Sequence, residues 1–119
     1  MTKEELKKRA YLLALKILRL IDKLPNQKAY WSLGDQLLRA GSSIGANIIE
    51  AQGASSKKDF INFYHHALKS ANETKFWLCL IRDSGKVDKS STELLLKEAV
   101  ELSKILGASL LTMKNKRKI

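Results

Sequence analysis

Residues 36–51 read QLLRAGSSIGANIIEA. Placed about 100° apart around a helix, Leu37, Ala40, Ile44, Ile48 and Ala51 fall on one face, and Leu33 extends that face backwards. Three glycines, Gly34, Gly41 and Gly45, line up beside the stripe. Glycine inside a helix costs up to about 1 kcal/mol relative to alanine. A line of them therefore needs a reason, and close approach of another helix to the backbone supplies one. The stretch predicts a helix over residues 27–52 that packs through its small residues. A helix with one buried face needs partners, and the rest of the chain is read for them.

Three further segments carry the same period. Residues 3–24 place Leu6, Ala10, Leu13, Ile17, Ile21 and Leu24 on one face, and Pro25 stops the helix by disfavouring helical geometry in the residue before it. In the third segment Ser56 is the expected N-cap, Asp59 lies in the first turn and Gly85 is the stop. Its core side is Phe60, Tyr64, Ala67, Ala71, Leu78 and Ile81. The fourth opens with Ser90 and Glu93 at capping-box spacing and carries Leu95, Ala99, Leu102, Leu106, Leu110 and Met113. The joints are too short for a second domain, and no strand pattern appears. The expectation is all-α: a single-domain antiparallel up-down four-helix bundle over residues 1–119, ending in a short basic tail at 114–119.

A length of 119 residues with 45% hydrophobic and 29% charged residues is that of one globular domain. One cysteine, Cys79, excludes an intramolecular disulfide. The apolar run Ala10–Leu15 is too short and too closely flanked by Lys7, Lys8, Arg9 and Lys16 to span a membrane or serve as a signal peptide. A cytoplasmic location is expected.

The net charge is +10. Residues 1–30 contribute +5, 31–60 nothing, 61–90 +2 and 91–119 +3, so the excess gathers at the chain ends. A phosphate-bearing partner, RNA or DNA, is the natural expectation. Its candidate contacts are Arg9, Lys16, Arg19 and Lys23 on the first helix, Lys57 and Lys58 opening the third, and Lys114, Lys116, Arg117 and Lys118 in the tail. Such positions reach backbone phosphates rather than specifying bases.

Apolar residues are left over once the core stripes are filled. Tyr11, Leu15 and Leu18 form a second ridge on the first helix, and Phe76, Trp77 and Leu80 lie off the core stripe of the third. They are the candidate interface for self-association or a protein partner. Asn47 and Glu73 stand beside apolar stripes, and two expectations stand for them: a hydrogen bond between the second and third helices, or solvation of both.

Catalytic chemistry finds no support. His65 and His66 are adjacent, so they diverge around the helix, and no acidic residue sits three or four positions from either. No HExxH or bundle-type Glu-x-x-His pair occurs. Cys79 reads as packing. The glycines form no phosphate-cradling GxxxxGK[ST] pattern, and Ser42 and Ser43 have no histidine nearby in sequence. A protein that is not an enzyme, with no cofactor, metal, small-molecule substrate or membrane, is expected.

The stretches QLLRAGSSIGANIIEA (36–51) and SSKKDFINFYHHALKSANETKFWL (55–78) resemble a bacterial family. It is the four-helix-bundle family of proteins found in intervening sequences of 23S ribosomal RNA genes, related to the accessory variability determinants of diversity-generating retroelements. The family pattern falls on Gln36, Arg39, Ser43, Ile44, Asn47, Ile48 and Glu50, then on Phe60, Ala67, Ser70 and Glu73. The resemblance runs over roughly residues 5–113. Two departures stand out: Gly45 replaces a proline common in relatives, and Ala51 follows Glu50 where relatives have glycine. A straighter or later-ending second helix is the consequence expected.

The resemblance implies a basic homopentamer and, on the retroelement side, association with a reverse transcriptase and nucleic acid. The leading expectation is a non-enzymatic oligomeric accessory protein that binds nucleic acid electrostatically with little sequence preference. The alternative is a protein-interaction module encoded in a ribosomal RNA intervening sequence, with no direct nucleic-acid role.

Overall fold

A computed structural model describes the backbone of residues 1–118 and the side chains of residues 1–115. The described residues form four helices: α1 (Lys3–Ile21), α2 (Lys28–Gln52), α3 (Lys57–Asp83) and α4 (Lys89–Lys118). No strand occurs among the described residues. Each helix packs on its sequence neighbours, and α4 closes the square against α1, whereas the backbones of the diagonal pairs, α1 with α3 and α2 with α4, do not approach each other. Gly34 faces Ile21 and Leu24 while Gly45 faces Ala10, so α1 and α2 run antiparallel. Tyr30 near the start of α2 donates to Ser84 just past the end of α3, at 2.7 Å, which makes that pair antiparallel too. The result is an up-down rod of 52 × 22 × 20 Å.

The helix ends follow local chemistry. The Thr2 hydroxyl accepts the Glu5 N–H at 3.0 Å and opens α1. At the other end, Lys23 and Leu24 donate to the carbonyls three residues back, at 2.9 and 3.1 Å. This tighter turn lets the chain leave the helix before Pro25, so α1 ends at Ile21 rather than at residue 24. Ser56 caps α3 by accepting the Asp59 N–H at 3.1 Å. Gly85, at φ +78°, takes the left-handed conformation that turns the chain out of α3. The expectation for α4 is corrected. Its cap is Asp88, whose carboxylate accepts the Ser90 and Ser91 hydroxyls at 2.8 and 3.0 Å and the Ser90 N–H at 3.4 Å. Ser90 lies inside the first turn, because an aspartate two residues earlier reaches the free amides first.

The predicted stripes form the core. Leu13, Ile17, Leu37, Ile44, Ile48, Leu78, Ile81, Leu102 and Leu106 are fully buried. Ile21, Leu24, Leu33, Phe60 and Met113 lie at its margins, half-buried. Thr74, Thr92 and Ser103 are buried hydroxyls, and each donates to a carbonyl three or four residues back in its own helix, at 2.7–2.8 Å. That local bond satisfies each hydroxyl proton within its own helix, and the Ser103 oxygen also accepts from Lys75 of α3 at 3.2 Å. The bond expected between α2 and α3 does not form. Asn47 donates to the Ser43 carbonyl of its own helix at 2.8 Å, and Glu73 accepts the Trp77 indole N–H at 3.2 Å on its own helix. Both side chains lie off the seam, where a same-helix partner four residues away is nearer. Glu50 is exposed.

Gly34, Gly41 and Gly45 all face α1 or the turn that follows it. A Cβ added at Gly41 would stand 2.4 Å from the δ-methyl of Ile17, which is fully buried. At Gly45 it would stand 3.4 Å from the Ala10 Cβ and 3.8 Å from the α1 backbone, an ordinary contact. The two positions therefore respond differently to alanine. Gly41→Ala is expected to cost about 1 kcal/mol, because crowding exceeds the gain in helix propensity. Gly45→Ala is expected to be neutral or stabilising by up to ~1 kcal/mol. Placing Gly41→Ala in an Ile17→Val background removes the clashing methyl and should abolish the penalty. Urea unfolding of the four variants checks this, and equal effects of alanine at 41 and 45 would contradict it.

The Asp88 cap carries a pH signature. The Ser90 hydroxyl, then the Ser91 hydroxyl, hold its carboxyl below the usual carboxylate range. A lowered folded pKa contributes stability above the unfolded value and loses it as pH falls through the folded one. Asp88→Ala is therefore expected to lower the melting temperature at pH 7, with the gap to the parent closing below the ordinary value of 3.8. A gap of the same size at pH 2.5 and pH 7 would show that the carboxylate is not the cap.

Candidate nucleic-acid interface

The α1–α4 seam is the least extensive of the four. It opens into a cleft of about 690 Å³ lined by Arg9, Lys16 and Arg19 from α1, by Lys23 from the turn after it, and by Ser91, Leu94, Lys97, Glu98 and Glu101 from α4. The helical period explains the α1 side. Arg9 and Lys16 are seven residues apart, so they stack on one line with Arg19 beside it, and Lys23 continues the row just past the helix end. All four cations predicted on this helix thus come together. Leu20 and Leu95, both buried, form the floor.

Charge within the cleft is uneven. Arg9 grips Glu98, with Nε 3.0 Å from one carboxylate oxygen and Nη2 on the other. This two-point pair holds the guanidinium pKa above its ordinary value, the Glu98 hydrogen bond being the main cause. It also cancels the Glu98 charge. Lys16, Arg19, Lys23 and Lys97 make no ion pair within 4 Å among the described residues, and all four are exposed. Beyond the Arg9–Glu98 pair, towards Lys23, the lining is wholly cationic or neutral. Lys97 went unpredicted because its solvent-facing wheel position is that of any surface lysine; only its nearness to α1 distinguishes it.

The remaining predicted cations lie elsewhere. Lys57 and Lys58 are exposed at the start of α3, and Lys114 is exposed near the end of α4. These helix ends lie at the opposite end of the rod from Lys23, because α3 starts where α2 ends. Lys116, Arg117 and Lys118 lie outside the described side chains.

The apolar candidates divide as well. Tyr11, Leu18, Phe76 and Leu80 are exposed, whereas Leu15 and Trp77 are half-buried. Since α1 and α3 are diagonal, the two groups cannot form one patch. Tyr11 instead joins Ile49, 55% exposed, across an apolar groove between α1 and α2 floored by Ala10, Ala14, Gly45 and Ala46. Phe76 meets Trp77 edge-on at 5.0 Å on the outer face of α3. Ile49, Trp31 and Leu94 are exposed apolar residues that the sequence reading passed over. Each adjoins its helix's core stripe and was indistinguishable from a core margin by spacing.

His65 and His66 are both exposed and Cys79 is half-buried. Among the described residues no three His, Cys, Asp or Glu side chains come close enough to share a metal ion. No described helix is long and apolar enough to cross a membrane.

Known proteins resemble this chain at two levels. The family model described as 23S rRNA-intervening sequence protein matches residues 2–108. A crystal structure of a protein of unknown function from the S23 ribosomal protein family of Bacteroides thetaiotaomicron is 35% identical. It superposes with a TM-score of 0.85 over 92% of this chain and 98% of that one. No curated protein matches.

Proposed function

The chain belongs to the 23S rRNA-intervening sequence protein family, and on that footing we propose that it is a non-enzymatic, nucleic-acid-binding accessory protein that acts as a homo-oligomer. The observation that carries the reading is the set of unpaired cations, Lys16, Arg19, Lys23 and Lys97, gathered along the α1–α4 cleft. Four like charges held together raise the local potential and attract a polyanion more strongly than the same charges scattered. Their contacts go to phosphates, so the binding is electrostatic and weakly sequence-specific. The exposed apolar residues Tyr11, Leu18, Phe76 and Leu80 support self-association. The resemblance to retroelement accessory proteins extends the proposal to a pentamer and to a reverse transcriptase as protein partner.

The alternative, an interaction module with no nucleic-acid role, draws on the same apolar surfaces and leaves the cleft without a purpose. Titration of labelled RNA and DNA at 50 and 200 mM salt separates the two. Four phosphate contacts predict an affinity loss across that range of about 50-fold for a single strand and about 150-fold for a DNA duplex. Absent binding at 50 mM, or binding indifferent to salt, would rule out the nucleic-acid reading. Light scattering is expected to give a multiple of 13.4 kDa, and the monomer mass would remove the oligomer.

A further inference from the structure

We infer that the α1–α4 cleft is a seat for a single strand of RNA or DNA, not for a duplex. The inference rests on the proposed nucleic-acid binding and names the form of the ligand at that site.

Three features of the cleft point the same way. The first is shape. The cations lie along a recess between two helices, where the seam is thin, and not on a raised surface. A duplex is a stiff rod that touches such a recess only along its rims, whereas a flexible strand can lie along the floor.

The second is chemistry. Leu94 is 71% exposed, with Lys16 and Lys97 lining the same recess, and the floor below is Leu20 and Leu95. Phosphates gain nothing from leucine. Unstacked bases do, because covering their faces and the leucine side chain removes apolar surface from water. A duplex keeps its bases stacked inside, so it could use the cations and would waste the leucine. A single strand offers phosphates to the lysines and bases to Leu94 at once.

The third is direction. Arg9 and Lys16 stand about 10 Å apart along α1, at 1.5 Å rise per residue, and Lys23 lies two residues past the helix end. The Arg9–Glu98 pair closes one end, since its cation is already engaged by a carboxylate. Glu101, beyond it, repels phosphate and marks the same limit. The strand therefore lies on the Lys23 side of that pair, between Lys16 and Arg19 on one flank and Leu94 and Lys97 on the other, and leaves past Lys23.

The test uses the full-length chain, a labelled twelve-nucleotide oligo-uridine and a blunt duplex of the same length, with binding read by fluorescence anisotropy against salt. The single strand is expected to bind at least about tenfold more tightly than the duplex. Lys16→Gln, Lys23→Gln and Lys97→Gln combined should lower the salt slope for the strand by about 2. The same three-charge change at Lys8, Lys69 and Lys86, which lie outside the cleft, should leave strand affinity within about twofold. Leu94→Ser should weaken strand binding about threefold to tenfold and leave duplex binding unchanged. All the substituted side chains are exposed, and melting temperatures within a few degrees of the parent confirm that each variant is folded. Equal affinity for strand and duplex overturns the inference, as does a cleft variant that binds like the parent; in both cases the parent protein still binds and the broader proposal stands. A parent protein that binds neither ligand at 50 mM salt overturns both.

Discussion

Helix α1 is seated on α2 through Gly34, Gly41 and Gly45, and the shape of the bundle follows from that contact. With hydrogen in place of side chains, Ile17 and Ala10 settle against the α2 backbone. Closeness on this side has a consequence on the other. The α1–α2 seam is about twice as extensive as the α1–α4 seam, and the space left between α1 and α4 is the cationic cleft. The glycines thus have two effects. They recover in packing what they lose in helix propensity, and they bring α1 closer to α2 than to α4.

The burial pattern also explains why α1 carries three chemistries on one cylinder. Its core stripe is shared with the other helices. Its α4 side holds Arg9 and Lys16, and its outer and α2 sides hold Tyr11, Leu15 and Leu18. A helix with only two thin seams has more free surface than α3, which is flanked by the two broadest. Free surface is where functional side chains can stand without disturbing the core. The Arg9–Glu98 pair then ties the open seam at one point and leaves the rest of it accessible.

Much of the fold was legible because helical periodicity is a local property. The stripes Leu6–Leu24, Leu33–Ala51, Phe60–Ile81 and Leu95–Met113 are recovered in the core or at its margin. The misreadings came where two local signals compete. Ser90 with Glu93 has capping-box spacing, yet Asp88 takes the cap, because a carboxylate accepts hydrogen bonds more strongly than a hydroxyl and reaches the same turn. Asn47 and Glu73 looked like a bridge between helices and turned instead to Ser43 and Trp77, four residues away. The site was legible in part. The α1 cations were visible as a row, but Lys97 was one surface lysine among many, and six apolar candidates that looked like one interface proved to lie on diagonal helices.

The sequence by itself determined the number of helices, their buried faces and the excess of positive charge, since each depends on residue type and spacing along one chain. It also pointed to a close neighbour for α2, since a row of glycines beside an apolar stripe lets another backbone approach. Which helix that neighbour is, and which seam is left open, only the tertiary structure decided. Both depend on how four cylinders divide a shared interior, and a gap between two helices has no counterpart in the order of residues on either one.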